Sequence, residues 1–168
     1  MKLATTLSLT LTAVVFLTGC DTGPIGPEGP PGNANVFAFN RTFSMADASF
    51  SGSVAAVQFN EPAITPSVVD NGAVLAYFRE QDTWTAMPYT FGEESPDLPA
   101  VDFTITLGFA HDDGFLELFY EASSPEITLE NQPDRLVKIV VIDGFPFGKN
   151  GPDLSDYEAV KAYYGLTD

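Results

Sequence analysis

The sequence predicts an all-β protein: a β-sandwich of about seven mainly antiparallel strands with a short C-terminal helix. Three observations predict it. Residues 101–109 alternate, with Val101, Phe103, Ile105, Leu107 and Phe109 on one face. That is the period-two signature of a strand buried on one side. Asp113-Gly114 then separates this run from a second apolar one at 115–121. Such a two-residue link is a strong hairpin signal, and it predicts a type I′ turn with positive φ at both central residues. Finally, residues 136–142 are nearly continuous aliphatic, broken only by Lys138, and read as a central strand.

The remaining elements follow in order. Residues 36–43, 53–59, 73–78 and 84–89 are strand candidates, separated by Pro, Gly and Asn punctuation. Thr65-Pro66 followed by Asn71-Gly72 predicts a short helix, with Thr as N-cap, Pro in the first helical position and Gly as the stop. At the end, Ser155-Asp156-Tyr157-Glu158 fits a capping box. Leu154, Tyr157, Val160 and Tyr164 then recur at helical spacing and Gly165 can end the turn. This helix, 154–164, is expected to pack on the sandwich edge. An immunoglobulin-like topology is compatible with the count, although its marker disulfide cannot form in a chain with one cysteine.

The composition suits one domain. Hydrophobic residues make up 45% of the 168 and aromatics 12%, enough to build a core. Charge is strongly one-sided. Beyond residue 19 there are six basic residues against 23 acidic ones, a formal charge of −17. That balance excludes ordinary nucleic-acid binding, which needs clustered Lys and Arg, and it opposes adhesion to anionic headgroups. It favours solubility and a monomer.

The chain begins with a targeting pattern. Met1-Lys2 is a short positive start, residues 3–17 carry no charge, and small residues follow at once. This is a signal peptide, 1–19, rather than a spanning helix, which needs about 20 predominantly apolar residues. Leu17-Thr18-Gly19-Cys20 resembles the bacterial lipobox. The resemblance implies cleavage before Cys20, a diacylglyceryl group on its sulfur and an acyl chain such as palmitate on the new amino terminus. At about 0.8 kcal/mol per buried methylene, two or three chains give durable attachment. The chain has no other cysteine for Cys20 to pair with. The expected location is the bacterial cell envelope, with inner membrane, outer membrane and cell surface all open.

Residues 20–35 form a tether. Gly23-Pro24-Ile25, Gly26-Pro27-Glu28, Gly29-Pro30-Pro31 and Gly32-Asn33-Ala34 place Gly at every third position. Four triplets are too few for a stable collagen trimer, so an extended polyproline-II spacer of about 35–40 Å is the better reading. The lipobox, these triplets and the β domain at 36–168 together resemble a group of collagen-like bacterial lipoproteins, most without an assigned function. The likeness extends to Asp70-Asn71-Gly72-Ala73-Val74-Leu75-Ala76-Tyr77, to Trp84-Thr85-Ala86-Met87-Pro88-Tyr89 and to residues 135–142. These are packing and turn motifs, and they imply kinship rather than chemistry.

Chemistry is sparse. The single histidine, His111, precedes the hairpin link and is expected to be exposed there. A nucleophile needs a base beside it, and the sole histidine is expected at an exposed turn, with no Gly-x-Ser-x-Gly elbow in the chain and the sole thiol given to lipid. A zinc site draws on several His or Cys, which are not available. Carboxylates are abundant, and a glycosidase needs two of them about 5–9.5 Å apart. Glu93-Glu94, Asp112-Asp113 and Asp153 with Asp156 read instead as solvated charges or caps. Calcium is the secondary cofactor reading, through Asp112, Asp113, Asp143, Asp153 and Asp156, although the segment fails EF-hand spacing. Among the aromatics Trp84, Tyr89, Phe91, Tyr163 and Tyr164 are expected mainly in the core. Phe145 and Phe147, in a Gly-rich loop, are the best candidates for an exposed recognition patch. The sequence therefore predicts a non-catalytic, lipid-anchored binding or structural module with an unidentified protein or glycan partner. A carboxylate-based hydrolase acting on glycans is the alternative, and a collagen-like trimeric adhesin the next.

Overall fold

The computed structural model describes residues 35–94, 102–144 and 151–167. The signal peptide, Cys20, the tether, Phe145 and Phe147 lie outside the described residues. The fold is an all-β sandwich. Nine strands are described: β1 (Val36–Phe43), β2 (Ser49–Ser51), β3 (Val54–Asn60), β4 (Ala73–Glu80), β5 (Thr83–Ala86), β6 (Tyr89–Glu94), β7 (Asp102–Asp112), β8 (Phe115–Ala122) and β9 (Arg135–Ile142). Helix α1 (Pro66–Asn71) joins β3 to β4, and α2 (Tyr157–Tyr164) closes the chain. One sheet has the order β1-β9-β4-β5 and the other β2-β3-β8-β7-β6, and all described pairs are antiparallel. The first strand lies beside the last, unlike the A-B-E-D sheet of an immunoglobulin constant domain.

The core forms from the inward residues of both sheets. Val74, Ala76 and Phe78 of β4 and Val137, Ile139 and Val141 of β9 meet Ile105 and Leu107 of β7 and Leu116, Leu118 and Tyr120 of β8. β9 is buried on both faces. Its outward residues Val140 and Ile142 join Tyr77 beneath Tyr157, Val160 and Tyr164 of α2. This explains the unbroken aliphatic run, since a strand covered on both faces has no solvent side to carry polar residues. The helix thus lies over the outer face of the four-stranded sheet, not along the sandwich edge.

Three local expectations are corrected. Residues 84–89 are not one strand: β5 and β6 belong to different sheets, and the chain crosses between them at a cis Met87–Pro88 bond. Pro88 cannot donate to a ladder, so the run divides there. The Asp113-Gly114 link joins β7 to β8 as predicted, but only Gly114 has positive φ, at 67°. The turn is held from outside: Glu61 N–H donates to the Gly114 carbonyl at 2.8 Å, and Gly114 N–H donates to the Ile64 carbonyl at 2.7 Å. These tertiary bonds, with the Asp112 carboxylate accepting from Asp113 N–H, outweigh the local type I′ preference. Lastly, the N-cap of α2 is Asp156 rather than Ser155, its carboxylate accepting from the N–H groups of Glu158 and Ala159. Asp is as good a cap as Ser, and Ser155 is engaged elsewhere.

Helix α1 has the predicted Thr65 cap and Pro66 start. Gly72 ends it at a close approach: a Cβ built there would lie 2.2 Å from the Ile142 carbonyl oxygen. Only a residue without a side chain lets the helix end meet β9 so tightly.

Candidate functional site

The acidic residues come first, because any hydrolytic or cation-binding site would be built from them. Six of those described have structural tasks. Asp156 caps α2, and Asp153 accepts from both the N–H and the hydroxyl of Ser155, at 2.9 and 2.7 Å. Those two bonds hold the Asp153 carboxyl below its ordinary pKa. Asp143 accepts from the Ser67 hydroxyl at 2.8 Å, tying α1 to the end of β9. Asp134 accepts from Met45 N–H at 2.7 Å and from the Ser44 hydroxyl, anchoring the turn after β1. Glu93, expected as a loop charge, stands on β6 and accepts from the Gln132 amide at 2.8 Å. Buried Glu61 pairs with Arg41. Asp112 and Asp113 are exposed at the hairpin tip, with His111 exposed beside them on β7, its ring stacked on Phe109. Among the described residues no three His, Cys, Asp or Glu side chains converge to hold a metal ion. The five calcium candidates are therefore placed at the hairpin tip, the end of β9 and the start of α2.

The densest polar-aromatic cluster lies under α2. Lys138 projects from the outer face of β9 and is only 4% exposed. Its ammonium is 5.0 Å from the Trp84 ring centre and 5.1 Å from that of Tyr157. Tyr77 packs tilted against Tyr157, ring centres 5.2 Å apart, and its hydroxyl donates to the Leu154 carbonyl at 2.7 Å. A cation between aromatic faces is attracted by their quadrupoles, more strongly when water is excluded. Burial, reinforced by the charge of Asp156, pushes the Tyr77 hydroxyl above its ordinary pKa. The arrangement clamps the helix to the sheet. It is the feature sequence reasoning missed, and its one signal was a lone lysine inside an aliphatic strand.

The expected aromatic candidates divide. Trp84 and Tyr164 belong to this layer beneath α2, with Tyr163 edge-on to Tyr164 at 4.9 Å. Phe91 packs on the main core, and Tyr89 packs tilted against Phe78, ring centres 5.2 Å apart, while remaining 38% exposed.

An accessible apolar surface lies along β1. Among the described residues this strand has β9 on one side only, and Phe37 is 54% exposed. An open groove of about 450 Å³ runs beside it, lined by residues 36–39, Ala63 and the 165–167 turn after α2. Arg41 stands over the Phe39 ring at 4.7 Å and closes the far end of this face. Extended apolar segments suit such an edge, because the strand supplies backbone partners and the groove accepts side chains.

Comparison of the chain with family models, curated proteins and solved structures gives no match. The function must be argued from the residues themselves.

Proposed function

We propose that the protein is a non-catalytic, lipid-anchored module of the bacterial cell envelope or surface, tied to a membrane through Cys20 and presenting its β-sandwich to a protein or glycan partner. The observation that carries this reading is the run Leu17-Thr18-Gly19-Cys20, which follows an uncharged segment and precedes Gly-Pro triplets leading into β1. Two further observations support it. The first described strand begins at residue 36, directly after the triplets, as a spacer between Cys20 and the folded domain requires. Six of the described carboxylates, Glu61, Glu93, Asp134, Asp143, Asp153 and Asp156, cap a helix, tie turns or pair with Arg41, which are structural tasks.

Detergent phase separation of the natural protein tests the anchor. The protein should enter the detergent phase, and a Cys20→Ser variant should move to the aqueous phase. A natural protein found wholly in the aqueous phase would overturn the reading. Proteins that co-purify from detergent-solubilised envelope would identify the partner.

A further inference from the structure

The two sheets have four edge strands, β1, β5, β2 and β6. Three of them discourage further pairing: β5 has four residues, β2 has three, and β6 ends in Glu93-Glu94. Short and charged edges are the usual protection against strand addition. β1 is longer, and its one charge is engaged within the chain. Its eight residues, Val-Phe-Ala-Phe-Asn-Arg-Thr-Phe, include no Pro, Lys or carboxylate. In a chain of formal charge −16, copies repel wherever acidic surfaces meet. The β1 edge brings no carboxylate of its own to such a meeting, and its only charged residue is the cation Arg41, which pairs with buried Glu61.

We propose that β1 pairs antiparallel with β1 of a second copy of this chain, joining two four-stranded sheets into one of eight. The strand is complementary to itself about Phe39. A two-fold axis there sets Ala38 opposite Asn40 of the second copy, on the outer face. It also sets Phe37 opposite Arg41 of the second copy, and directly opposed residues share one face of the sheet. The latter pair repeats between copies the cation-over-ring contact that Arg41 makes with Phe39 inside the chain. The groove flanks residues 36–39, so the 39–42 half of each strand enters the groove of the other and both grooves fill. An isologous contact of this kind closes at two copies. A contact one strand wide is small beside a standard interface of about 1,200–2,000 Å². The dimer therefore forms where copies are concentrated, as tethers on one membrane would concentrate them. That last point rests on the proposed anchor, whereas the pairing itself does not.

The test is sedimentation equilibrium of the natural protein purified in density-matched detergent. At concentrations of about 1 mM, the range that tethering imposes, a monomer–dimer equilibrium is expected. It should tighten at about 0.5 M salt, where repulsion between acidic copies is screened. Ala38→Glu should abolish the dimer with an unchanged thermal midpoint, because residue 38 is exposed and the axis brings both new carboxylates close together. Adding Asn40→Lys should restore the dimer, since each Glu then faces a Lys of the second copy. A natural protein that stays monomeric at high salt overturns the pairing. So does a dimer that survives Ala38→Glu, or a double variant that stays monomeric. The readout is mass in solution, so it stands whether or not Cys20 proves to be acylated.

Discussion

Lys138 stands with its ammonium 5.0 Å from the centre of the Trp84 ring and 5.1 Å from that of Tyr157, two rings that are themselves in contact at 5.6 Å. This contact joins three elements, β9, β5 and α2, on a sheet face that would otherwise be open to water. A charged residue here is compatible with burial because its long stem packs on apolar neighbours while its head meets aromatic faces. Lys138→Ala should remove the stem, leave a cavity beneath α2 and cost about 2–4 kcal/mol. Lys138→Met, which keeps the volume, should cost less. Trp84 is the only tryptophan in the chain, so its emission reports the state of this layer. Denaturant titration should show the loss in the Ala variant together with a red shift, and an unchanged midpoint and spectrum would contradict the clamp.

Two tyrosines in the same layer should respond oppositely to loss of their hydroxyls. The Tyr157 hydroxyl is buried and has no hydrogen-bond partner among the described residues, whereas Tyr77 donates to Leu154. An unpartnered buried hydroxyl is destabilising, while a satisfied one contributes about 1 kcal/mol. Tyr157→Phe should therefore raise stability by about 1 kcal/mol and Tyr77→Phe should lower it by a similar amount. Equal losses in both variants would show that Tyr157 has a polar partner.

At the end of α1, Gly72→Ala should destabilise by about 3 kcal/mol. The added methyl meets the Ile142 carbonyl oxygen, 2.2 Å from the position of its carbon, and the clash is with backbone that cannot swing aside. Gly108→Ala should be milder. The atom it meets, 2.5 Å away, is at the outer end of the Phe119 ring, a side chain that can shift as the Ile142 backbone cannot. Thermal midpoints of the two variants check the order, and the reverse order would contradict it.

Alkaline pH should destabilise the fold. Burial holds the hydroxyls of Tyr77, Tyr120 and Tyr164 above their ordinary value of 10.0, opposed at Tyr120 by a hydrogen bond from Arg135. Below about pH 10 both folded and unfolded states keep these protons, and the three groups contribute no slope. Above it the unfolded state releases them first, so stability falls as pH rises, by up to about 1.4 kcal/mol per pH unit for each tyrosine. Midpoints measured alongside tyrosinate absorbance should show flat behaviour up to about pH 10 and a decline beyond it. Tyr77→Phe should make that decline shallower.

Much of the fold was legible because the sequence pattern and the tertiary environment agree. β1, β4, β7, β8 and β9 have the alternation or the apolar continuity that their burial demands, and Thr65, Pro66 and Gly165 mark helix ends by local geometry. What was not legible depended on distant groups. The Asp113-Gly114 turn takes its shape from Glu61 and Ile64, some 50 residues earlier in the chain. Division of residues 84–89 between two sheets was signalled by Pro88, but no local feature says to which sheet each half goes. Lys138 interrupts an aliphatic run, and only the arrival of α2 makes that interruption a clamp. The open side of β1 was equally invisible, because a strand's place in the sheet order is not written in its own residues. The proposed anchor stands differently, since a lipobox is read by processing enzymes as a linear motif and needs no folded context.

Intact mass of the protein extracted from its own cells tests that anchor most directly. The account predicts a chain beginning at Cys20 whose mass exceeds that of residues 20–168 by a diacylglyceryl group, with or without a further acyl chain. A chain that still carries Met1, or one that begins elsewhere with residue 20 as a free thiol, would contradict it.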